Sequence, residues 1–313
     1  MSGAVATALN ASVVIPTYNE AEDIRRTLDS LVAQTYPHRE IIVVDESTDA
    51  TPAIVLEYAA RGVRLLRPAQ NRGRCGARNV GIRSARGDVV VILNADVFPP
   101  PDFLERIIRH YERGADYVLV ESRVANTEFL LPRYMQAMHE ATYRGAEWIE
   151  WTEGYSCRRE AALDVGLFPE DVPIPIPAGE DAYFGARMAR KYRKVIDRSI
   201  VVPHVMPHTW QSFWAQHRGR GRGTPLCRVF LDGLPLWLVA SRAGLRTARW
   251  LLSAILLVPG MAVAARLSAH SRRGWRDIPG FFAAWHVSQL AQLVGAWAGI
   301  GELMRHNGRR RPE

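Results

Sequence analysis

From residue 12 onward, short β-branched runs alternate with longer segments in which apolar side chains recur at helical spacing. The runs at 12–16, 40–44, 63–66, 89–93 and 117–120 predict five strands. The first four are nearly continuous in apolar residues, as expected of strands covered on both faces. Between them, 21–33, 52–60 and 76–85 read as helices, with Asn19 or Glu20 and Thr51 placed to cap the first two. Strands joined by crossover helices make an α/β domain with a mainly parallel sheet flanked by helices.

In such a sheet, ligands gather at the carboxyl ends of the strands. The residues there are polar and acidic: Thr17, Tyr18, Asn19 and Glu20 after the first strand, Asp45 to Asp49 after the second, and Asn94, Ala95 and Asp96 after the fourth. Three acidic turns are therefore expected on one edge. A carboxylate such as Asp96, at the end of a buried strand, suits a divalent cation held against a diphosphate. An Asp in that position also serves as an ordinary turn or cap residue, and Pro99 to Pro101 introduce a helix just beyond it. Periodicity weakens after Glu121. The prolines at 173, 175 and 177 exclude regular helix and predict an extended loop leading into a helix near Glu180.

The segments VVIPTYNE, VVDESTDAT, NRGRCGARNVG and GDVVVILNADVFPPP, followed by EGYSCRREAALDVGLFPED and GEDAYFGARMARKY, stand in the order and spacing of one family. Over about residues 12–222 the chain resembles glycosyltransferase family 2. The resemblance implies a GT-A fold, a Rossmann-like arrangement for a nucleotide-diphosphate sugar, and an inverting transfer. It implies that Pro16, Thr17, Tyr18, Glu20 and Asp45 contact the nucleoside, and that Arg78 and Asn79 lie beside the sugar diphosphate. Asn94, Ala95 and Asp96 then form the donor-binding turn, with Asp96 as the metal-binding residue of an Asp-x-Asp motif. Asp181, preceded by Glu180, takes the place of the general base, although the pair also reads as a helix start favoured by the helix dipole.

His204 aligns with the family's histidine better than His208; it reads either as a group that completes the metal site or touches phosphate, or as an ordinary core or surface histidine. Arg218, Arg220 and Arg222 alternate with glycines and suit a flexible loop that closes on diphosphate, or a plain solvated basic loop. Two departures from the family pattern stand out. Asn94 replaces the first carboxylate of Asp-x-Asp, lowering the charge offered to a cation, and the turn at Asp45-Glu46-Ser47 is shortened.

Composition adds a basic tail to this picture. In 313 residues there are 40 Lys plus Arg against 32 Asp plus Glu, a formal charge of +8 that favours anionic partners. The excess clusters late, at Arg218 to Arg222, Arg272 to Arg276 and Arg309 to Arg311. The 48% of apolar residues excludes disorder of the whole chain. Cys75, Cys157 and Cys227 lack metal-ligand spacing and fit a reducing compartment. The first eleven residues lack the pattern of a secretory signal, so the catalytic part is expected in the cytoplasm. No nucleic-acid module accompanies the charge, so no nucleic-acid partner is expected.

Residues 1–226 are read as the catalytic domain, with a donor-binding half over about 12–122 and an acceptor half over about 123–226. Residues 227–313 are read as a hydrophobic, basic helical region. Its apolar stretches lie at 230–240, 250–265 and 281–300. The third is long enough to cross a bilayer, but His286, Gln289 and Gln292 form a polar stripe that needs a partner. The second is broken by Pro259 and Gly260. A transmembrane hairpin would leave the arginine-rich linker outside, against the positive-inside tendency. Interfacial helices on the cytoplasmic face of an anionic membrane are therefore favoured, with Trp250, Trp275 and Trp285 near the headgroups; helices that simply pack on the protein or form a dimer are the alternative.

The combined expectation is transfer of a sugar from a UDP- or GDP-linked donor, with Mg²⁺ or Mn²⁺, to a polyprenyl phosphate or lipid-linked glycan. The competing classes are a non-catalytic nucleotide-sugar-binding protein on the same fold and a nucleotidyltransferase.

Overall fold

A computed structural model describes residues 8–71 and 73–309. Arg72, Arg310 and Arg311, singled out above within a motif or a basic cluster, lie outside the described residues. The elements run β1 (Ala11–Thr17), α1 (Ile24–Val32), β2 (Arg39–Asp45), α2 (Thr51–Leu56), β3 (Val63–Leu66), α3 (Gly73–Ser84), β4 (Val89–Ile92), α4 (Phe103–Glu112) and β5 (Tyr117–Val124). They continue with α5 (Leu130–Tyr143), β6 (Ser156–Arg158), α6 (Arg159–Asp164), α7 (Glu180–Ala189) and β7 (Lys194–His204). Four long helices end the chain: α8 (Trp210–Phe230), α9 (Leu236–Leu256), α10 (Val258–Ser268) and α11 (Ile278–Arg309).

The chain forms two compact units. The first comprises Met1–Arg123, Glu147–Glu170 and Asp181–His204. Its seven strands form one sheet in the order β3-β2-β1-β4-β6-β5-β7. The five predicted strands are present. The four amino-terminal ones are parallel, with β1 between β2 and β4. Burial explains their composition: Val13, Val14 and Ile15 of β1 and all of β4 are inaccessible, with α1, α3 and α4 supplying apolar covers such as Leu28, Ile82 and Phe103.

The sheet keeps the expected parallel core, β3-β2-β1-β4, and adds an antiparallel strand to it. β6 runs antiparallel to both β4 and β5, which makes the sheet mixed. Three residues of β6, Ser156-Cys157-Arg158, carry too little alternation to announce a strand. The capping expectations also change. α1 starts only at Ile24 with Asp23 at its cap, and α2 starts at Thr51 itself. Asn19 is drawn away by the neighbouring turn, where its side chain accepts from the Thr48 amide at 3.0 Å. Thr51 instead accepts from the Glu20 amide at 2.9 Å. The proline-rich segment before α7 is irregular, as its spacing requires.

The second unit comprises Val124–Ala146, Asp171–Glu180 and Val205–Glu313, and is helical. Its core joins Leu131, Tyr134, Phe213, Leu267 and Phe281 from α5, α8, α10 and α11. Arg133 and Asp277, both buried, form a bidentate pair at 2.9 Å. The Arg-Gly run proves to be part of continuous helix α8 rather than a loop. Its glycines are contact points: a Cβ on Gly221 would stand 2.1 Å from the Gln292 carbonyl oxygen, and one on Gly295 2.0 Å from that of Arg218. Only backbone fits between α8 and α11 there. Arg222 meets Glu302 through hydrogen bonds of 2.8 to 3.1 Å, while Arg218 and Arg220 are exposed.

The polar stripe on α11 finds its partners within this unit. Arg246 of α9 donates to Gln289 at 3.2 Å and to Gln292 at 2.7 Å, and Gln292 also meets His217 Nδ1 at 3.3 Å. Trp250 and Trp285 pack edge-on against His286, and of the three tryptophans expected at an interface Trp275 is the exposed one. Among the described residues no single helix is long and apolar enough to cross a membrane. α9 and α10 meet that requirement together, but they are bent by 86° at the break. The break follows from Pro259, which cannot donate to the carbonyl four residues back.

The glycine contacts give a direct test. G295A should destabilise the protein by about 1–3 kcal/mol, because the added methyl forces two backbones apart. G301A, on the same helix with open space around it, should be neutral or stabilising by about 0.5–1 kcal/mol. Urea unfolding of the two variants measures both; equal midpoints would contradict the close packing.

Candidate active site

The carboxyl ends of β1, β2 and β4 carry the three acidic turns, and parallel pairing sets them side by side. Thr17 and Asp45 are register partners. Asp45, 1% exposed, accepts from the Thr17 hydroxyl at 2.8 Å and the Ser47 hydroxyl at 2.5 Å through Oδ1. Its Oδ2 faces Arg67 Nε at 3.5 Å. The turn after β1 is stitched to the turn after β2: the Asn19 amide donates to Ser47 Oγ at 2.7 Å, and the Glu46 amide to the Thr17 carbonyl at 3.1 Å. Pro16 is half-buried within β1, and Tyr18 stands 56% exposed.

After β4, Asn94 and Asp96 project from a turn whose middle residue, Ala95, is buried and accepts from Thr27 at 2.5 Å through its carbonyl. The end of β7 returns to this turn. An antiparallel bridge pairs Val97 with His204, which brings His204 Nε2 to 3.0 Å from Asp96 Oδ2. The other oxygen, Asp96 Oδ1, is buried and accepts no hydrogen bond from the described residues.

Arg78 and Asn79 of α3 are both buried, to different ends. The Arg78 guanidinium lies over the rings of Trp151 at 5.2 Å and Phe168 at 5.0 Å, and its Nη2 makes a long 3.5 Å contact with Asn94 Oδ1. The rings fix its direction. Asn79 spends its amide on the Phe168 backbone, donating to the carbonyl and accepting from the amide, both at 2.9 Å. Its geometry is that of a positioning residue for the ring beneath Arg78.

Glu180 is the fully buried first residue of α7, and Asp181 follows, half-buried, accepting from the Ala182 amide at 2.7 Å. Arg218 and Arg220 belong to α8 of the second unit.

Sequence reasoning passed over Glu153. Its Oε2 accepts from Asn94 Nδ2 at 3.0 Å. Asp23 was likewise missed, being read as interior to a helix that in fact begins after it. Electrostatics tie these groups together. Burial first, then Asp96 and Asp23, push the Glu20 carboxyl from 4.5 up to about 7. Burial and Asp96 raise Asp23, and burial raises Glu153, with His204 and Arg78 pulling it down and Asp96 and Asp181 pushing it up. Burial and mutual repulsion thus act together on the carboxylates gathered at this edge.

Among the described residues no set of three or more His, Cys, Asp or Glu side chains is placed to hold a metal alone. The Asp96 and His204 pair, with one buried orphaned oxygen, still suits an ion whose remaining positions are filled by water and substrate phosphate, as Mg²⁺ commonly arranges.

The sequence model of Glycosyl transferase family 2 matches residues 12–169, just over half the chain, from β1 through β6. This chain belongs to glycosyltransferase family 2. Among curated relatives, the succinoglycan biosynthesis protein ExoO of Rhizobium meliloti is 38% identical over 114 residues, covering 36% of this chain and 33% of its own. The chain spans between a third and just over half the length of the first curated relatives it matches. Two solved structures share the GT-A fold. The mannosyltransferase PcManGT from Pyrobaculum calidifontis, in complex with GDP-Man and Mn²⁺, aligns with TM-score 0.63 at 22% identity, over 95% of this chain and 88% of that one. TarS 1-349 of S. aureus with UDP-GlcNAc aligns with TM-score 0.52 at 16% identity, over 93% and 91%.

The charge concentration makes a pH prediction for this family member. Glu20 holds its proton more tightly folded than unfolded, so its ionisation costs stability; the cost is absent below about pH 4.5, grows toward pH 7 and is constant above. In chelator, E20Q should therefore raise the melting temperature over the parent more at pH 8 than at pH 5. An equal difference at both values would contradict the assignment.

Proposed function

We propose that this glycosyltransferase transfers a sugar, with inversion, from a UDP- or GDP-linked donor to an acceptor on a membrane-attached glycan or polyprenyl phosphate. The observation that carries this reading is Asp96, paired with His204 on one oxygen and orphaned on the other, in a turn whose Asn94 is reached by the ring-braced Arg78. Family membership supports it, and so do the donors bound in the two structural neighbours.

Each group has a distinct task. Thr17, Tyr18, Glu20 and Asp45 receive the nucleoside, with Asp45 pre-aimed by Thr17 and Ser47. Arg78 turns its cation toward the diphosphate. Asp96 and His204 hold Mg²⁺ or Mn²⁺, which when bound neutralises charge on the departing diphosphate. Asp181 takes the proton of the acceptor hydroxyl as that oxygen bonds to the anomeric carbon and the carbon–phosphate oxygen bond breaks on the opposite face. Asn79 acts through Phe168, and Glu180 anchors the start of α7.

A membrane surface follows from the corner between α9 and α10. Leu251, Leu252, Ile255, Leu256, Leu257, Val258 and Met261 are exposed around it, and Leu257 holds a φ of 59°, rare for a branched side chain. Between residues 233 and 276 the chain has seven arginines and no Asp or Glu. An apolar wedge in a purely basic surround matches the interface of an anionic bilayer. A cytoplasmic-face location at such a bilayer completes the proposal.

D96A and D181A should each lower donor turnover by about 100-fold or more in a nucleotide-sugar screen with Mg²⁺ or Mn²⁺. D96A should also abolish the metal dependence of nucleoside-diphosphate binding, and D181A should leave that binding intact. Full activity in both variants on the preferred donor would sink the site. For the wedge, L252E/I255E/V258E should lose co-sedimentation with phosphatidylglycerol-containing vesicles while keeping its melting temperature. Unchanged sedimentation would rule the corner out.

A further inference from the structure

The antiparallel strand that the sequence concealed also brings a carboxylate into the site. β4 pairs with β6 through Val89 and Arg158, Val90 and Cys157, and Val91 and Ser156. Continued past the strand ends, that register sets Asn94 opposite Glu153, and the 3.0 Å hydrogen bond between them is its consequence. The turn bearing Glu153 is tightly held. Thr152 accepts from the Val120 amide at 3.1 Å, Trp151 stacks on Tyr155 at 4.4 Å, and Gly154 has a φ of 81° with room for no side chain, since a Cβ would stand 2.8 Å from Val120 Cγ2. Glu153 is consequently fixed at the tip of a rigid turn, half-buried, with Oε2 engaged by Asn94 and Oε1 accepting no hydrogen bond from the described residues.

We propose that Glu153 is a specificity-determining residue that accepts hydrogen bonds from hydroxyl groups of the donor sugar, and that Asn94 is the positioning residue that holds it. This rests on reading the site as one for a nucleotide sugar. Glu153 interacts electrostatically with Arg78, Asp96, His204 and Asp181. On that reading these groups hold the diphosphate, the cation and the acceptor, so the part of the substrate common to all of them is the sugar ring. A carboxylate repels phosphate and accepts from hydroxyls. Asn94, neutral and donating to Oε2, leaves Oε1 free to face the ring; a second acid at position 94 would repel Glu153 instead. The site thus keeps one carboxylate at this point, carried on the β6 side rather than the β4 side.

The test uses the full chain and the nucleotide sugar it turns over fastest in a panel of UDP- and GDP-hexoses. E153Q should lower kcat/KM for that donor by about 10- to 100-fold, the loss of one charged hydrogen bond. It should narrow the discrimination between epimeric sugars while changing the Kd of the matching nucleoside diphosphate by less than about threefold, a factor too small for a lost charged contact, and without lowering the melting temperature. N94D should also lose activity, and N94D/E153Q, which exchanges acid and amide, should recover kcat/KM above both single variants.

Unchanged kcat/KM and selectivity in E153Q would overturn the proposal. An equal loss of nucleoside-diphosphate affinity would overturn it too, making Glu153 a diphosphate or cation residue. A double variant no better than the weaker single one would remove the role of Asn94. If the parent neither binds nor turns over any nucleotide sugar, the proposed function itself fails and this inference falls with it.

Discussion

The pairing of β4 with its neighbours is the constraint on which the first unit depends. On one side β4 runs parallel to β1, so that the residues leaving both strands emerge at the same edge. On the other it runs antiparallel to β6, so that the residues entering β6 arrive at that edge as well. The bridge between Val97 and His204 adds the end of β7. Backbone hydrogen bonds, which buried strands cannot leave unmade, thereby force Glu20, Asp96, Glu153 and His204 into one neighbourhood despite the repulsion among their carboxylates. The Glu20, Asp23 and Glu153 carboxyls are raised by burial first, and then by the nearby Asp96 that this enforced proximity supplies.

Arginine enters the same edge under equally firm control. Arg78 is 2% exposed, and its charge is tolerated because two aromatic faces and the Asn94 carbonyl oxygen surround it. Phe168, one of those rings, is tied by its backbone to Asn79, so that two adjacent residues of α3 build the arginine and its support. The cation is thereby preorganised before any ligand arrives.

The second unit follows a different rule. α8 and α11 approach until glycine on one meets backbone on the other, and polar groups along the seam are satisfied by specific partners: Arg222 with Glu302, Gln292 with His217, Arg246 with Gln289 and Gln292. Satisfying the stripe of α11 inside the unit leaves the apolar exposure concentrated elsewhere, at the corner of α9 and α10, where no acid offsets the arginines.

Much of this was legible in one dimension. Four parallel strands show as unbroken apolar runs because both faces are covered, and the acidic turns after them show because ligand-binding edges exclude apolar residues; Pro259 announces the break in the helix pair. The ordered motifs sufficed to point to the family. What the chain concealed was set by contacts distant in sequence. β6 is too short to have a period, so neither the mixed sheet nor the meeting of Asn94 with Glu153 could be read from spacing. Glycines alternating with arginines look like a hinge until a second helix lies against them, and only the position of α11 decides that they are packing sites. Asn19 has the chemistry of a cap, yet it serves the turn after β2, because tertiary pairing brought a competing amide within reach. Local sequence determined which segments are strands and which ends are acidic; the register between distant strands and helices decided which of those groups meet.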